Sequence, residues 1–295
     1  MIRGLYTATA GMIAQQRKHD AATNNIANIN TPGFKQNTVV QRSFPEMLIQ
    51  LVRDGESGPG GQQRTIGSLH TGVFAEESVP LFAQGDLLET GLNTDLAILS
   101  NIQVEGLVFD ASGRAVNADG EFVFQPQAFF TVMNAQGELR YTRDGRFTVN
   151  EAGEWIAAGG HRLVGANGLP VSSGGAVNVR VTPQGALIDA DTGEPLVDED
   201  GEPVALLISV IENPHNLIRE GEGMFRLADG APPARALVPG ENATVRQGYV
   251  ERSNVDAVAA TVNMMAALRA YEANQRVIQF YDRSLDKAVN EVGRV

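Results

Sequence analysis

The chain of 295 residues is long enough to bury a hydrophobic core, and its hydrophobic fraction of 43% is typical of a folded protein. It contains no cysteine, which excludes disulfides, thiolate nucleophiles and metal sites built on cysteine. The net charge is −12, and residues 65–245 carry 25 acidic but only 9 basic side chains. This charge balance opposes nucleic-acid binding.

The N-terminal segment is predicted to form an amphipathic helix. Its seam repeats every three or four residues and consists of Ile2, Leu5, Thr9, Met12, Gln16, His19, Thr23 and Ile26. The first ten residues do not resemble a secretory signal, because their apolar stretch is short and broken by Gly4 and Thr7. No window approaches the ~18 apolar residues of a membrane span. We therefore expect no membrane insertion and an export route without a cleaved signal peptide.

An asparagine-rich turn is predicted to end this helix, because proline and the residue before it are disfavoured in helices. One interpretation is a helix end whose side chains bond free backbone groups. The other is a fixed turn that aims the chain out of the helical region. The segment contains, in order, Asn24, Asn25, Ile26, Asn28, Asn30, Thr31, Pro32, Gly33 and Phe34.

The middle of the chain changes to a period of two, which predicts short strands. Glycine-based turn signals recur about every 8–15 residues, as in an all-β domain built of hairpins. The clearest predicted strands are residues 129–132, 146–149, 177–181 and 204–210. Residues 54–64 are rich in glycine and are predicted to be a flexible stretch.

The C-terminal segment is predicted to form a long helix, because residues 249–292 contain neither Gly nor Pro. Ser253, followed by Asp256, resembles a capping box at its start, and Gly293 is predicted to end it. The apolar stripe is twice interrupted by polar residues, which indicates packing against a partner helix. The stripe consists of Val255, Val258, Val262, Met265, Leu268, Tyr271, Ile278, Leu285, Val289 and Val292.

Neither terminal helix can bury its apolar stripe alone, so we predict that the two pair. The predicted fold class is α+β, with N- and C-terminal helices paired in one coiled-coil-like terminal domain and a mainly antiparallel all-β central domain. The predicted boundaries are 1–53 with 246–295 for the discontinuous helical domain, 54–75 for a linker or extended segment, and 76–245 for the β-rich domain.

No set of residues points to catalysis, a cofactor or a metal. The four histidines are not at metal-ligand spacing, and no phosphate-loop or nucleophile motif occurs. Seven carboxylates lie between Asp189 and Glu202, but their spacing differs from that of a calcium loop, and we favour solvated hairpin turns. A calcium-binding or adhesive extracellular β module is an alternative. A peptidoglycan hydrolase is a third hypothesis, for which no catalytic carboxylate pair can be named.

Motifs at both ends of the chain resemble those of flagellar rod and hook proteins. The N-terminal one runs from Asn24 to Lys35, as Asn-Asn-Ile-Ala-Asn-Ile-Asn-Thr-Pro-Gly-Phe-Lys. The C-terminal one runs from Gln247 to Asp256, as Gln-Gly-Tyr-Val-Glu-Arg-Ser-Asn-Val-Asp. Residues 141–147, Tyr-Thr-Arg-Asp-Gly-Arg-Phe, resemble the central motif of that family. The resemblance is closest to the hook–basal-body type that includes the distal rod protein, in a Gram-positive-like variant.

The resemblance implies a structural subunit of the flagellar rod that is not an enzyme, assembles helically and transmits torque through the cell envelope. Its partners would be copies of itself, other rod and hook subunits, and the flagellar export apparatus. Its place would be the extracytoplasmic basal body, with a hook or other axial protein as the alternative. The chain departs from the family pattern at residues 100–126, where we predict an inserted hairpin.

The same resemblance, with the apolar stripes, implies a set of residues for assembly. They are Leu5, Met12, Asn24, Asn25, Ile26, Asn28, Thr31, Pro32, Gly33, Phe34, Gly248, Tyr249, Ser253, Asn254, Val255, Val258, Val262, Met265, Leu268, Arg269, Tyr271, Ile278 and Leu285.

Overall fold

The structure, a computed structural model, describes residues 2–51, 64–104, 106–110, 113–117, 120–173, 178–198, 201–238 and 240–292. A long helix stands near each end of the chain, and antiparallel strands lie between them, which confirms the predicted α+β class. The chain divides into two compact units. The helical unit comprises Met1–Ile26, Asn37–Val79 and Asp256–Val295, and the β unit comprises Ala27–Gln36 and Pro80–Val255.

The helical unit contains both long helices, α1 (Ile2–Ala27) and α2 (Ala257–Lys287), and α2 continues as a π-helical turn, Ala288–Val292. The two helices approach closely at two glycines of α1. Gly4 faces the ring of Tyr281, and Gly11 faces the amide of Asn274. From Gly4 to Gly11 the chain advances seven residues along α1, whereas the facing residues, Tyr281 and Asn274, lie seven residues apart in the reverse direction along α2. The two helices are therefore antiparallel.

The described residues of the helical unit also contain four strands: β1 (Asn37–Ser43), β2 (Met47–Leu51), β3 (Arg64–Leu69) and β4 (Val73–Pro80). β2 pairs with β3, and β1 pairs with β4, so they form two nested pairs. α1 is fastened to this hairpin, because Arg17 Nη1 donates to Ala75 O at 3.1 Å and Thr7 Oγ1 donates to Thr71 O at 3.1 Å.

This hairpin includes part of residues 54–75, for which a linker or extended segment is predicted. Residues 64–69 belong to β3, which pairs with β2, and residues 73–75 belong to β4, which pairs with β1. Both partner strands lie within the range 1–53 that is predicted for the helical domain. The glycine-rich residues 54–61 that suggested a linker lie outside the described residues.

The β unit contains seventeen strands among its described residues. Those before residue 150 are β5 (Leu87–Glu89), β6 (Leu96–Ser100), β7 (Arg114–Val116), β8 (Phe122–Phe124), β9 (Gln127–Met133), β10 (Leu139–Thr142) and β11 (Thr148–Val149). The middle ones are β12 (Trp155–Ile156), β13 (Arg162–Leu163), β14 (Val179–Val181), β15 (Leu187–Asp189) and β16 (Ile208–Ile211). The last are β17 (Leu217–Gly221), β18 (Met224–Leu227), β19 (Arg235–Ala236), β20 (Ala243–Gln247) and β21 (Tyr249–Glu251). Two short 3-10 turns cover Ala158–Gly160 and Pro214–Asn216.

Strand β9 is the centre of the largest sheet, which runs β11-β12-β13-β9-β10-β18-β17, with β16 also paired to β9. Its alternating side chains enter two separate cores. Ala128, Phe130 and Val132 belong to the larger cluster, whereas Phe129 belongs to a smaller aromatic cluster with Phe225. This alternation is the period of two expected of a strand that is covered on both faces.

Candidate assembly site

The N-terminal signature ends in a turn that only glycine can complete. Gly33 has φ +67°, and a Cβ there would collide with the backbone of Arg143. Its N–H donates to Glu251 O at 2.8 Å, which joins the N-terminal signature to strand β21 of the C-terminal signature. The two motifs, far apart in sequence, therefore meet inside the β unit.

A buried ion pair lies at this meeting point. Lys35 Nζ lies 2.6 Å from Glu251 Oε1 and also donates to Ala83 O at 2.8 Å. The same carboxylate oxygen accepts the N–H of Gly85 at 2.8 Å. Arg143 Nη1 lies 3.6 Å from the other oxygen, Oε2, and donates to the backbone oxygen of Ile98 at 3.0 Å. All three charged side chains are almost fully buried. We call Lys35, Arg143 and Glu251 the buried charge cluster.

Burial and the neighbouring opposite charges shift the pKa values of these three groups in opposite directions. Burial lowers the pKa of Lys35 to about 8, although Glu251 partly offsets this effect. Burial also lowers the pKa of Arg143. For Glu251, burial acts to raise the pKa, but the charges of Arg143 and Lys35, with hydrogen bonds from Lys35 and Gly85, outweigh it and lower the pKa. At neutral pH the cluster therefore holds a carboxylate between two cations.

Asn254 and Phe34 reinforce the same junction. Asn254 Oδ1 accepts the N–H of Gln36 at 2.7 Å, and its Nδ2 donates to Leu81 O at 2.9 Å. Arg219 stacks over the Phe34 ring at 4.4 Å and donates to Lys35 O at 3.0 Å. Sequence reasoning did not identify Arg219, because its partners lie far away along the chain.

The asparagine run is used as a set of local caps. Asn25 is buried, and its side chain both donates to Asn37 O and accepts from Asn37 N, at 2.8 Å each. Thr31 Oγ1 donates to Asn28 Oδ1 at 3.2 Å. These contacts fit both predicted interpretations, because bonding free backbone groups is also what fixes the turn.

The start of α2 corrects one prediction. The N-cap is Asp256, whose Oδ1 accepts the N–H groups of Val258 and Ala259 at 2.8 and 3.1 Å. Ser253 lies before the helix, and its Oγ accepts from Val255 N at 3.4 Å. Tyr249 lies before the helix, in β21, because residues 249–251 pair with β5.

The predicted α2 stripe is divided between a covered and an exposed face of the helix. The face of α2 toward α1 contains two buried alanines, Ala260 and Ala267. The same face contains three half-buried residues, Tyr271, Ile278 and Leu285. The predicted seam residues Val258, Val262, Met265 and Leu268 instead point to solvent, with Val258 73% and Val262 54% exposed. We call these four residues the outer stripe.

On α1 the small residues Ala8, Ala14 and Ala22 are buried, whereas the predicted seam residues Leu5, Met12 and Ile26 are half-buried. Large apolar side chains are exposed here as well, namely Tyr6 and Ile13. The helical unit thus joins its two helices through small residues and leaves larger apolar ones uncovered. Contiguous exposed apolar surface of this kind marks interaction sites.

The acidic turns show local hydrogen bonding. Asp189 Oδ1 accepts Asp191 N at 2.8 Å, and Asp198 Oδ1 accepts Glu202 N at 3.0 Å. In the described part of the chain, no group of three His, Asp or Glu side chains could hold a metal ion. Nor does any described helix have the length and apolar character needed to cross a membrane.

Three family models match the chain in order. "Flagella basal body rod protein" matches residues 5–35, "Flagellar hook protein FlgE/F/G D1 domain" matches 123–205, and "Flagellar basal body rod FlgEFG protein C-terminal" matches 246–291. The first and third contain the two signatures that meet at the buried charge cluster.

Curated relatives match over the full length. The chain is 35% identical to the flagellar hook-basal body complex protein FlhO of Bacillus subtilis, with 100% of both chains covered. It is 29% identical to the flagellar basal-body rod protein FlgG of Borreliella burgdorferi, with 98% of both covered. It is 27% identical to the FlgG of Bacillus subtilis, over 98% of this chain and 99% of that one.

Proposed function

Because the chain belongs to the flagellar basal-body rod and hook protein family and is a structural subunit of the flagellar axis, we propose that it forms part of the rod. In this proposal copies assemble helically through their terminal helices into a drive shaft that transmits torque. Hook proteins are the alternative. The rod is favoured because the full-length relatives compared above are named as rod or hook-basal body complex proteins.

The outer stripe is the observation that supports assembly through the helices. Four apolar side chains recur on one face of α2, at residues 258, 262, 265 and 268, and no described part of the same chain covers them. Apolar faces of helices are covered by other helices when a partner is present. A heterologous contact that repeats between identical subunits generates an open helical tube.

Several finer features belong to the same proposal. In this proposal the helical unit would carry polymerisation, and the β unit would decorate the tube. We further propose that the subunit catalyses no reaction and interacts with other axial subunits and the export apparatus. Its place would be the extracytoplasmic basal body.

The decisive experiment places charge in the outer stripe of the full-length chain. Val262→Glu with Met265→Glu should abolish swimming and remove the protein from purified basal bodies, because buried charge opposes helix packing. Asn263→Glu is the matched control, since Asn263 is an exposed polar neighbour on α2. Normal rods from the double variant would contradict the proposal.

A second measurement decides whether the subunit lies in the rod or in the hook. An epitope tag on the full-length protein should appear, by immunogold labelling of purified basal bodies, on the rod below the hook. Labelling of the hook would replace the rod with the alternative axial role. Deletion of residues 254–295 should abolish incorporation at either level.

A further inference from the structure

The turn that follows β13 holds the only Asn-Gly pair of the sequence, Asn167 with Gly168. In such a pair asparagine loses its side-chain amide most readily, because glycine has no side chain to shield its backbone nitrogen. Gly168 has φ +80°, and both residues are exposed. Water and base therefore reach the pair, and the hydrogen bonds of the turn decide whether the reaction proceeds.

Loss of the amide proceeds through a cyclic succinimide. The backbone nitrogen of Gly168 gives up its proton to solvent and forms a bond with Cγ of Asn167. The bond between Cγ and Nδ2 breaks, and Nδ2 takes up a proton and leaves as ammonia. One water molecule then opens the ring, which leaves aspartate or isoaspartate in the chain. The reaction thus requires that the Gly168 nitrogen loses its proton and that Cγ rotates towards it.

The hydrogen bonds of the turn oppose each of these movements. Gly168 N donates its proton to Gly165 O at 2.9 Å. Asn167 Oδ1 accepts the N–H of Leu169 at 3.0 Å, the local bond of an Asx turn, which fixes the side-chain carbonyl. Asn167 Nδ2, the leaving group, donates to Asp198 Oδ2 at 2.8 Å. An amide held in this way reacts only when the turn opens locally.

We propose that Asn167 is the deamidation site of this chain and that Asp198 controls the reaction. While the β unit is folded, the bond between the two side chains keeps the amide in place. In the unfolded chain this bond is absent, and the pair reacts like a free Asn-Gly peptide. A chain deamidated before folding carries a carboxylate where the amide donated to Asp198. Because two carboxylates repel each other, the turn accommodates the amide and disfavours the acid.

Deamidation of the full-length chain tests this protection. The folded protein and the same protein in guanidinium chloride are incubated at mildly alkaline pH, and peptide mass spectrometry measures the acid formed at position 167. The folded chain should react at least tenfold more slowly, because only the locally opened turn reacts. Equal rates in the two states, or faster loss at another asparagine of the denatured chain, would overturn the inference. The reaction needs no partner, so its outcome is independent of the proposed axial role.

Asp198→Asn isolates the controlling bond. The variant keeps Oδ1 as the acceptor for Glu202 N, but it places an NH2 group where Oδ2 accepted from Asn167. The folded variant should deamidate at position 167 about fivefold faster than wild type, which corresponds to the loss of one hydrogen bond. Asp191→Asn is the matched control, because it removes the same charge from a nearby acidic turn and should leave the rate unchanged. An unchanged rate in Asp198→Asn would refute the role of Asp198.

The acid form provides a local readout that does not depend on the deamidation rate. Asn167→Asp should make hydrogen exchange of the Gly168 amide several-fold faster, because repulsion from Asp198 opens the turn. Adding Asp198→Asn should restore the wild-type exchange rate, since its NH2 group can donate to the carboxylate at position 167. Equal protection of Gly168 in wild type and Asn167→Asp would refute the discrimination between amide and acid.

Discussion

Lys35 and Glu251 are 216 positions apart in the chain, and their charged groups lie 2.6 Å from each other in the interior of the β unit. Lys35 ends the N-terminal signature, and Glu251 lies in the middle of the C-terminal signature. The pair links the two segments of the chain that the family models match separately. Its stability consequences can be tested directly.

Removing the carboxylate charge should destabilise the β unit strongly. Glu251→Gln leaves Lys35 and Arg143 buried without a counter-charge, which costs about 3–5 kcal/mol of unfolding free energy. Urea denaturation followed by tryptophan fluorescence measures this loss, because the single Trp155 lies in the β-unit core. Asp229→Asn, which removes a fully exposed carboxylate 3.6 Å from Arg226, should not shift the midpoint. Equal midpoints for both variants would refute a stabilising role of the cluster.

The pKa of Lys35 predicts an alkaline signature. Burial lowers it from 10.5 to about 8, so between these pH values the unfolded chain holds a proton that the folded chain lacks. The free energy of unfolding therefore rises with pH through this window, by about 3 kcal/mol for this group. Lys35→Met cannot titrate, so the stability of wild type relative to the variant should increase from pH 8 to 10.5. A pH-independent difference would contradict the buried position of the ammonium group.

Two glycines with similar backbone angles should respond differently to alanine. Gly33 has φ +67° and faces the backbone of Arg143, whereas Gly91 has φ +70° and faces open space. Both substitutions place a Cβ in the left-handed region, which costs about 1–2 kcal/mol. Gly33→Ala should cost about 2 kcal/mol more than Gly91→Ala, since the backbone must also move. Urea midpoints of the two variants provide the comparison.

The register of the helix pair can be tested by disulfide formation. A Cβ on Gly11 would lie 3.6 Å from Cγ of Asn274, close enough for Gly11→Cys with Asn274→Cys to oxidise. The control, Gly4→Cys with Asn274→Cys, shifts one thiol by about 10 Å along α1 and should stay reduced. Non-reducing electrophoresis of the full chain distinguishes them. Oxidation of the control but not of the first pair would show a different register.

The existence of both terminal helices was predictable, but the face that each buries was predictable only in part. Hydrophobic periodicity selects the larger apolar residues, and on α2 it selected Val258, Val262, Met265 and Leu268. Close packing of two helices instead selects residues with little side chain, such as the buried Ala267. Large apolar residues thus lie on both faces of α2, and the smallest residues lie where the two helices approach most closely.

The buried charge cluster left no local signal in the sequence. Lys, Arg and Glu are almost never fully buried unless paired, so each alone suggests a surface position. Lys35 and Glu251 are 216 positions apart in the sequence, whereas periodicity relates only residues within one helix or strand. The glycine-based turns and the strand around Phe129 and Phe130 were predictable, because their signals lie within a few residues of each other.

The meeting of residues 33–36 with residues 249–254 also sets when the β unit can finish folding. A chain that is delivered from its N-terminus presents Lys35 early, but the carboxylate that neutralises it arrives only after most of the molecule. Until then a cation is left without its partner, and strand β5 lacks its neighbour β21. A chain that lacks residues 249–254 therefore lacks both the counter-charge of Lys35 and the partner strand of β5, so the native β unit is complete only once this segment is present.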